Sequence, residues 1–159
     1  MAMSIDIRRG SGPSTARTGT GSSSTSGCVL HDVGQLSMSE RILSKPGILS
    51  VEEMGALHLH PLHSRDVVAG VPGLEEVAEW VASHHERIDG RGYPEGREGG
   101  EIPIESRILA VADAYVAITS DRPHRPKADG REARERLRSA AGTQLDADLV
   151  EIFLGKVLA

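Results

Sequence analysis

The chain has 159 residues, the length of one ordinary domain. A net charge of −5, and aromatic residues limited to Trp80, Tyr93, Tyr115 and Phe153, argue against a DNA or RNA binder. A single cysteine, Cys28, excludes an intramolecular disulfide framework and a cysteine-built zinc site, and no apolar run is long enough to span a membrane.

Residues 1–27 stand apart in composition. They hold 5 Gly, 7 Ser and 4 Thr, with only Ile5 and Ile7 as large aliphatics. Such a segment cannot bury enough apolar surface to offset its chain entropy, so a disordered tail is expected. The tail carries a net +2, which leaves residues 28–159, the expected domain, with −7 and all seven histidines. The sequence shows no secretory leader, and with one cysteine it fits a cytoplasmic protein.

From residue 36 onward the patterning is helical. Ser50 and Glu53 form a capping-box signature ahead of Val51, Met54 and Leu57 at helical spacing. Pro61 is expected to end or bend that helix near His60. A second helix follows through Val67 and Val68, and Val71-Pro72-Gly73 reads as a turn. Leu74, Val77, Ala78 and Val81 form an apolar stripe that ends at His84-His85. Residues 89–101 hold Gly90, Gly92, Pro94, Gly96, Gly99 and Gly100, which spells a loop. Pro103 suits the first turn of a helix running to about Thr119. Arg122-Pro-His-Arg-Pro126 breaks the pattern, and two more helices are expected at about 130–140 and 146–157. No segment alternates as a strand does, so the predicted class is all-α.

The chemistry-bearing residues are His31, Asp32, His60, His84, His85 and Asp113. Imidazole nitrogens and carboxylate oxygens are good ligands for divalent transition metals. An adjacent His-Asp pair lets a carboxylate bridge two ions while the imidazole binds one. Two ions about 3.5–4 Å apart can hold a hydroxide and aim it at phosphorus, while stabilising the charge that develops on the phosphate. Asp113 lies within an apolar helix, where a buried carboxylate needs a metal or a charge partner. His58 and His63 read as ordinary helix-surface residues.

From His84 the sequence runs His-His-Glu-Arg-Ile-Asp-Gly-Arg-Gly-Tyr-Pro. This resembles the HHxxxDGxGYP signature of HD-GYP domains at every fixed position. His31-Asp32, Lys45-Pro46-Gly47, His60-Pro61, Ala112-Asp113, the segment Thr119–Pro123, Gly142-Thr143 and Leu145-Asp146 are similar to further elements of that family, in order, across residues 29–155. The resemblance implies an all-α HD-domain helical bundle with a Gly-rich GYP loop. It implies two or three divalent metal ions, Fe or Mn, and hydrolysis of cyclic di-GMP to pGpG and then GMP. His31, Asp32, His60, His84, His85 and Asp113 become the metal ligands, with Asp32 as the bridge. Arg122 and Arg125 fall where the family keeps basic residues that touch the cyclic dinucleotide. Asp89, Gly90, Gly92, Tyr93 and Pro94 form the motif loop, with Tyr93 at the substrate. In the family this loop is linked to contacts with diguanylate cyclase (GGDEF) domains.

Three departures stand out. Gln35 occupies the family's lysine position, and Val116 occupies that of a second aspartate, where valine can neither take a proton nor orient water. No His or Glu lies upstream of His31 to supply the family's first-helix ligand, so the opening helices are expected to be absent or replaced, with dimerisation as a way to cover the core. Three readings therefore remain open. The domain is a cyclic di-GMP phosphodiesterase, a degenerate module that binds nucleotide or a signalling partner without turnover, or a phosphohydrolase for another nucleotide.

Overall fold

The computed structural model describes residue 27, residues 29–121 and residues 126–158. Most of the predicted tail, Cys28, and both predicted ligand-binding arginines, Arg122 and Arg125, lie outside the described residues. Residues 27, 29 and 30 are helical, and from Glu40 the described residues form, in order, α1 (Glu40–Leu43), α2 (Val51–Leu57), α3 (His60–Ala69), α4 (Glu75–Ala82), α5 (Ile104–Thr119), α6 (Gly130–Ala140) and α7 (Ala147–Lys156). Single 3-10 turns cover Val33–Ser37 and Gly99–Glu101. Among the described residues there is no strand, only isolated bridges of Asp89 with Glu98 and Ala141 with Leu145. The domain is all-α. No described helix is long and apolar enough to cross a membrane.

Local chemistry sets most helix starts. Ser50 Oγ accepts the Glu53 amide while Glu53 Oε2 accepts the Ser50 amide, so the expected capping box opens α2. Lys45 Nζ holds the same Glu53 carboxylate at 2.5 Å, tying the preceding loop to the cap. Asp129 accepts the Glu132 amide at the start of α6, and Asp146 accepts the Asp148 and Leu149 amides at the start of α7.

Pro61 behaves differently from the expectation. It does not terminate the preceding helix, because α2 has already ended at Leu57. It sits in the first turn of α3, where the amide it lacks would have had no helical partner. The proline therefore starts the helix that carries His60.

The core forms in two parts. Val68 of α3 packs with Val77, Ala78 and Val81 of α4, and Leu30, Val33, Leu74 and Trp80 close around them. The second part gathers Val111 of α5, Leu137 of α6, Leu145, and Val150, Phe153 and Leu154 of α7. Tyr115 meets Phe153 edge-on at 5.3 Å. Ser106 of α5 donates to the Trp80 carbonyl of α4 at 2.8 Å, which stitches the two parts together. The site residues come from both sides of that seam.

Gly34 decides how closely the His31-Asp32 turn approaches α3. A Cβ built on Gly34 would lie 2.3 Å from the His60 carbonyl oxygen and 2.5 Å from the Ser64 amide nitrogen. The Gly34 amide donates to Ser64 Oγ at 2.8 Å. The absent side chain lets two backbones touch, and this contact sets Asp32 against His60.

Candidate metal centre

Four residues from three separate stretches of the sequence converge here. Asp32, His60, His84 and His85 each offer one donor atom, and these four atoms lie within 4.8 Å of one another. Asp32 comes from the turn after Leu30, His60 from the start of α3, and His84 and His85 from the turn that follows α4. Asp32 Oδ1 lies 3.2 Å from His60 Nε2 and 3.9 Å from His84 Nε2.

The backbone aims two of the imidazoles. His60 Nδ1–H donates to the Leu57 carbonyl at 2.7 Å, and His84 Nδ1–H donates to the Val81 carbonyl at 2.6 Å. A carbonyl can only accept, so each Nδ1 carries the proton and each Nε2 presents its lone pair to the centre. Both Nε2 atoms are buried and have no hydrogen-bond partner. Buried polar atoms are nearly always satisfied, so two aimed at one point with none fit a metal ion. Burial pushes His84 down to about 4 and His85 down to about 3, and the neighbouring imidazoles push in the same direction. Both rings are thus neutral at physiological pH, the form in which an imidazole can bind a metal. Burial works to raise the Asp32 carboxyl, but the His31, His60 and His84 rings around it outweigh burial. The carboxyl is held well below the usual range, as a carboxylate.

His31 and Asp113 adjoin this group. His31 Nε2 lies 3.3 Å from Asp32 Oδ2 and 4.0 Å from Asp113 Oδ1. The two Asp32 oxygens therefore face different partners: Oδ1 faces His60 and His84, and Oδ2 faces His31. Asp113 corrects one sequence-based expectation. Its side chain is 38% exposed rather than buried. Val116, three residues further along α5, is exposed. Gln35 Nε2 donates to Asp32 Oδ1 at 2.6 Å, so this residue holds the central carboxylate.

The motif loop folds back over the imidazoles. Asp89 takes a bidentate pair from Arg87 at 2.9 and 2.6 Å, which holds its carboxyl down to about 2, and its amide donates to Thr143. The Gly90 amide closes a turn onto the Arg87 carbonyl. Gly92 allows a close pass, since a Cβ there would sit 2.4 Å from the Arg87 amide nitrogen and 2.5 Å from Glu86 Cα. Tyr93 and Pro94 follow, joined by a cis peptide bond. The Tyr93 ring lies 4.9 Å from the His85 ring, and burial pushes its hydroxyl up to about 12, so it stays protonated.

Two residues near the centre escape sequence reasoning. Glu86 is buried, and its Oε1 accepts the Glu95 and Gly96 amides at 2.7 and 3.2 Å, bracing the motif loop from beneath. Its position inside the signature was a usable signal. His58 is not an ordinary surface residue: its ring stacks on Tyr93 at 3.9 Å and 14°. No local pattern marks it, because the partner lies 35 positions away.

The fold agrees with the relatives of the chain. The HD domain family matches residues 22–149. The chain belongs to the HD domain family. This HD domain is 44% identical over 97 residues to a 3'3'-cGAMP-specific phosphodiesterase of Vibrio cholerae, covering 61% of the chain and 22% of that protein. It is 39% identical over 127 residues to a cyclic di-GMP phosphodiesterase of Thermotoga maritima, covering 79% of the chain and 34% of that protein. A solved structure of a cyclic GMP-AMP-specific phosphodiesterase from V. cholerae superposes with a TM-score of 0.65 over 91% of the chain and 40% of the solved one. At 19% identity, this likeness shows the fold. The chain thus spans between about a fifth and a third of the length of these two curated relatives.

Proposed function

We propose that this HD domain is a metal-dependent phosphodiesterase for cyclic dinucleotides, with cyclic di-GMP as the leading substrate and pGpG, then GMP, as products. The observation that carries the reading is the pair of buried, unpartnered Nε2 atoms of His60 and His84 beside Asp32 and His85. His60, His84, His85 and Asp32 Oδ1 would hold one ion, and His31, Asp113 and Asp32 Oδ2 a second, with Fe or Mn suited to this nitrogen and oxygen donor set. When bound, such ions supply an activated water and neutralise phosphate charge.

The chain's own residues do the rest. Asp32 joins the two halves of the site through its two oxygens. The Leu57 and Val81 carbonyls fix the imidazole tautomers. Tyr93 keeps its proton and can donate it in a hydrogen bond to a phosphate or sugar oxygen. Arg122 and Arg125 supply guanidinium forks for phosphate or guanine. In a domain of net acidic charge, these cations and the ions offset the dianionic substrate.

The test is product analysis with Mn²⁺ or Fe²⁺ and cyclic di-GMP or cyclic GMP-AMP. Appearance of pGpG or its mixed analogue, lost in Asp32→Ala and His84→Ala, is the expected result. Intact substrate at high enzyme and metal concentration refutes the reading.

One pair of observations favours a second reading, binding without turnover. Gln35 occupies Asp32 Oδ1 where the family has lysine, and Val116 stands where it has aspartate. In that case the cyclic dinucleotide binds and is recovered unchanged.

A further inference from the structure

The stack of His58 on Tyr93 extends the site beyond the metal ligands. His58 caps the C-terminus of α2. It lies outside the donor cluster, one aromatic ring removed from His85, since Tyr93 contacts both. The same residue lines a groove of about 460 Å³ with Leu49, Ser50, Val51, Met54 and Gly55. That size falls within the range of small-molecule sites. The lining holds no carboxylate, lysine or arginine. Val51 and Met54 are exposed there, so this face of α2 is uncovered among the described residues.

This chemistry is the opposite of the ligand cluster next to it. The cluster suits a phosphodiester, and the groove suits a flat, weakly polar ring. Tyr93 stacks on one face of His58, and His58 also lines the groove. A nucleobase is separated from its phosphate by one sugar, and the groove is separated from the cluster by one aromatic residue. We propose that one nucleobase of the phosphodiester substrate lies in this groove, with His58 as its stacking platform. Tyr93 then backs the platform. This inference rests on the phosphodiesterase reading and adds to it a residue that sets affinity for the base.

The experiment uses the metal-loaded chain, titrated calorimetrically with GMP and with inorganic phosphate, a probe that lacks the base. His58→Ala should weaken GMP binding about tenfold or more, the loss expected for one base–aromatic stack. His58→Phe, which keeps an aromatic face, should stay near the parent. Phosphate affinity should be the same in all three proteins, which also reports an intact site. Unchanged GMP binding in His58→Ala overturns the inference. An equal loss of phosphate binding overturns it too, because the role would then be structural. A parent chain that binds metal and phosphate, with no added affinity for GMP, also overturns it while leaving the phosphodiesterase reading standing. A chain that takes up no metal overturns both.

Discussion

Gly34→Ala tests how the backbone builds the centre. The new Cβ would meet the His60 carbonyl oxygen at 2.3 Å, the Ser64 amide nitrogen at 2.5 Å and Ser64 Oγ at 2.7 Å. Ordinary contact needs about 3.5 Å, so the His31-Asp32 turn and α3 must part by about 1 Å. Two of the three obstacles are backbone atoms, which no rotamer change can clear. Overpacking of this kind costs about 1–3 kcal/mol. Loss of the hydrogen bond from the Gly34 amide to Ser64 Oγ adds about 0.5–1.5 kcal/mol. Together these give about 1.5–4.5 kcal/mol, or roughly 3–18 °C in Tm for a chain of this length. The same displacement draws Asp32 Oδ1 away from His60 Nε2, now at 3.2 Å, so Mn²⁺ affinity should fall about tenfold to a hundredfold. Thermal unfolding followed by circular dichroism and a metal titration of the folded variant check both numbers. Gly55→Ala is the control. It lies inside α2 with open space around its Cβ position, so alanine should stabilise by about 0.5–1 kcal/mol. A Gly34→Ala protein within about 2 °C of the parent and with unchanged metal affinity would refute the account of how the site is held.

The remaining predictions concern the core, the ions and the motif loop. Leu137 is fully buried in the α5–α7 core, so Leu137→Ala should destabilise by about 2–5 kcal/mol in chemical denaturation, and a loss below 1 kcal/mol would contradict that packing. Mn²⁺ at about a hundred times its Kd should stabilise the chain by about 2.7 kcal/mol, seen as a rise in Tm that His60→Ala abolishes. Elemental analysis of the purified protein should find close to two ions per chain, and a value near zero would count against the catalytic reading. Asp89 titrates at about 2 when folded, below its ordinary value near 4, because Arg87 holds its charged form. The stability it contributes is therefore complete above about pH 4 and is lost as pH falls through 2. Asp89→Asn should remove that part of the acid limb from the pH–stability curve, and an unchanged limb would show that the Arg87 pair contributes nothing.

Much of the fold was legible because its signals are local. The Ser50–Glu53 capping box, the Asp146 cap and the apolar stripe of α4 each act within one or two turns of chain. The glycine-rich stretch 89–101 could not be read as anything but a loop. Pro61 was misread for the same local reason. A proline in a helical pattern is compatible with an end or a beginning, and only the earlier stop of α2 at Leu57 decides between them.

The sequence alone determined which residues could bind metal, since imidazole and carboxylate are fixed by residue type. It also determined that they come in the order of the HD-GYP signature, from His31 to Asp113. The tertiary structure decided how they are used. It split Asp32 between two sets of partners, placed Gln35 on one of its oxygens, and opened Asp113 to solvent. It gave His60 and His84 their tautomers through carbonyls three residues upstream, and it brought His58 onto Tyr93. The physical reason is that residue type sets what an atom can donate or accept. Direction and distance are set by contacts between segments far apart in the chain, such as the close pass of Gly34 against α3.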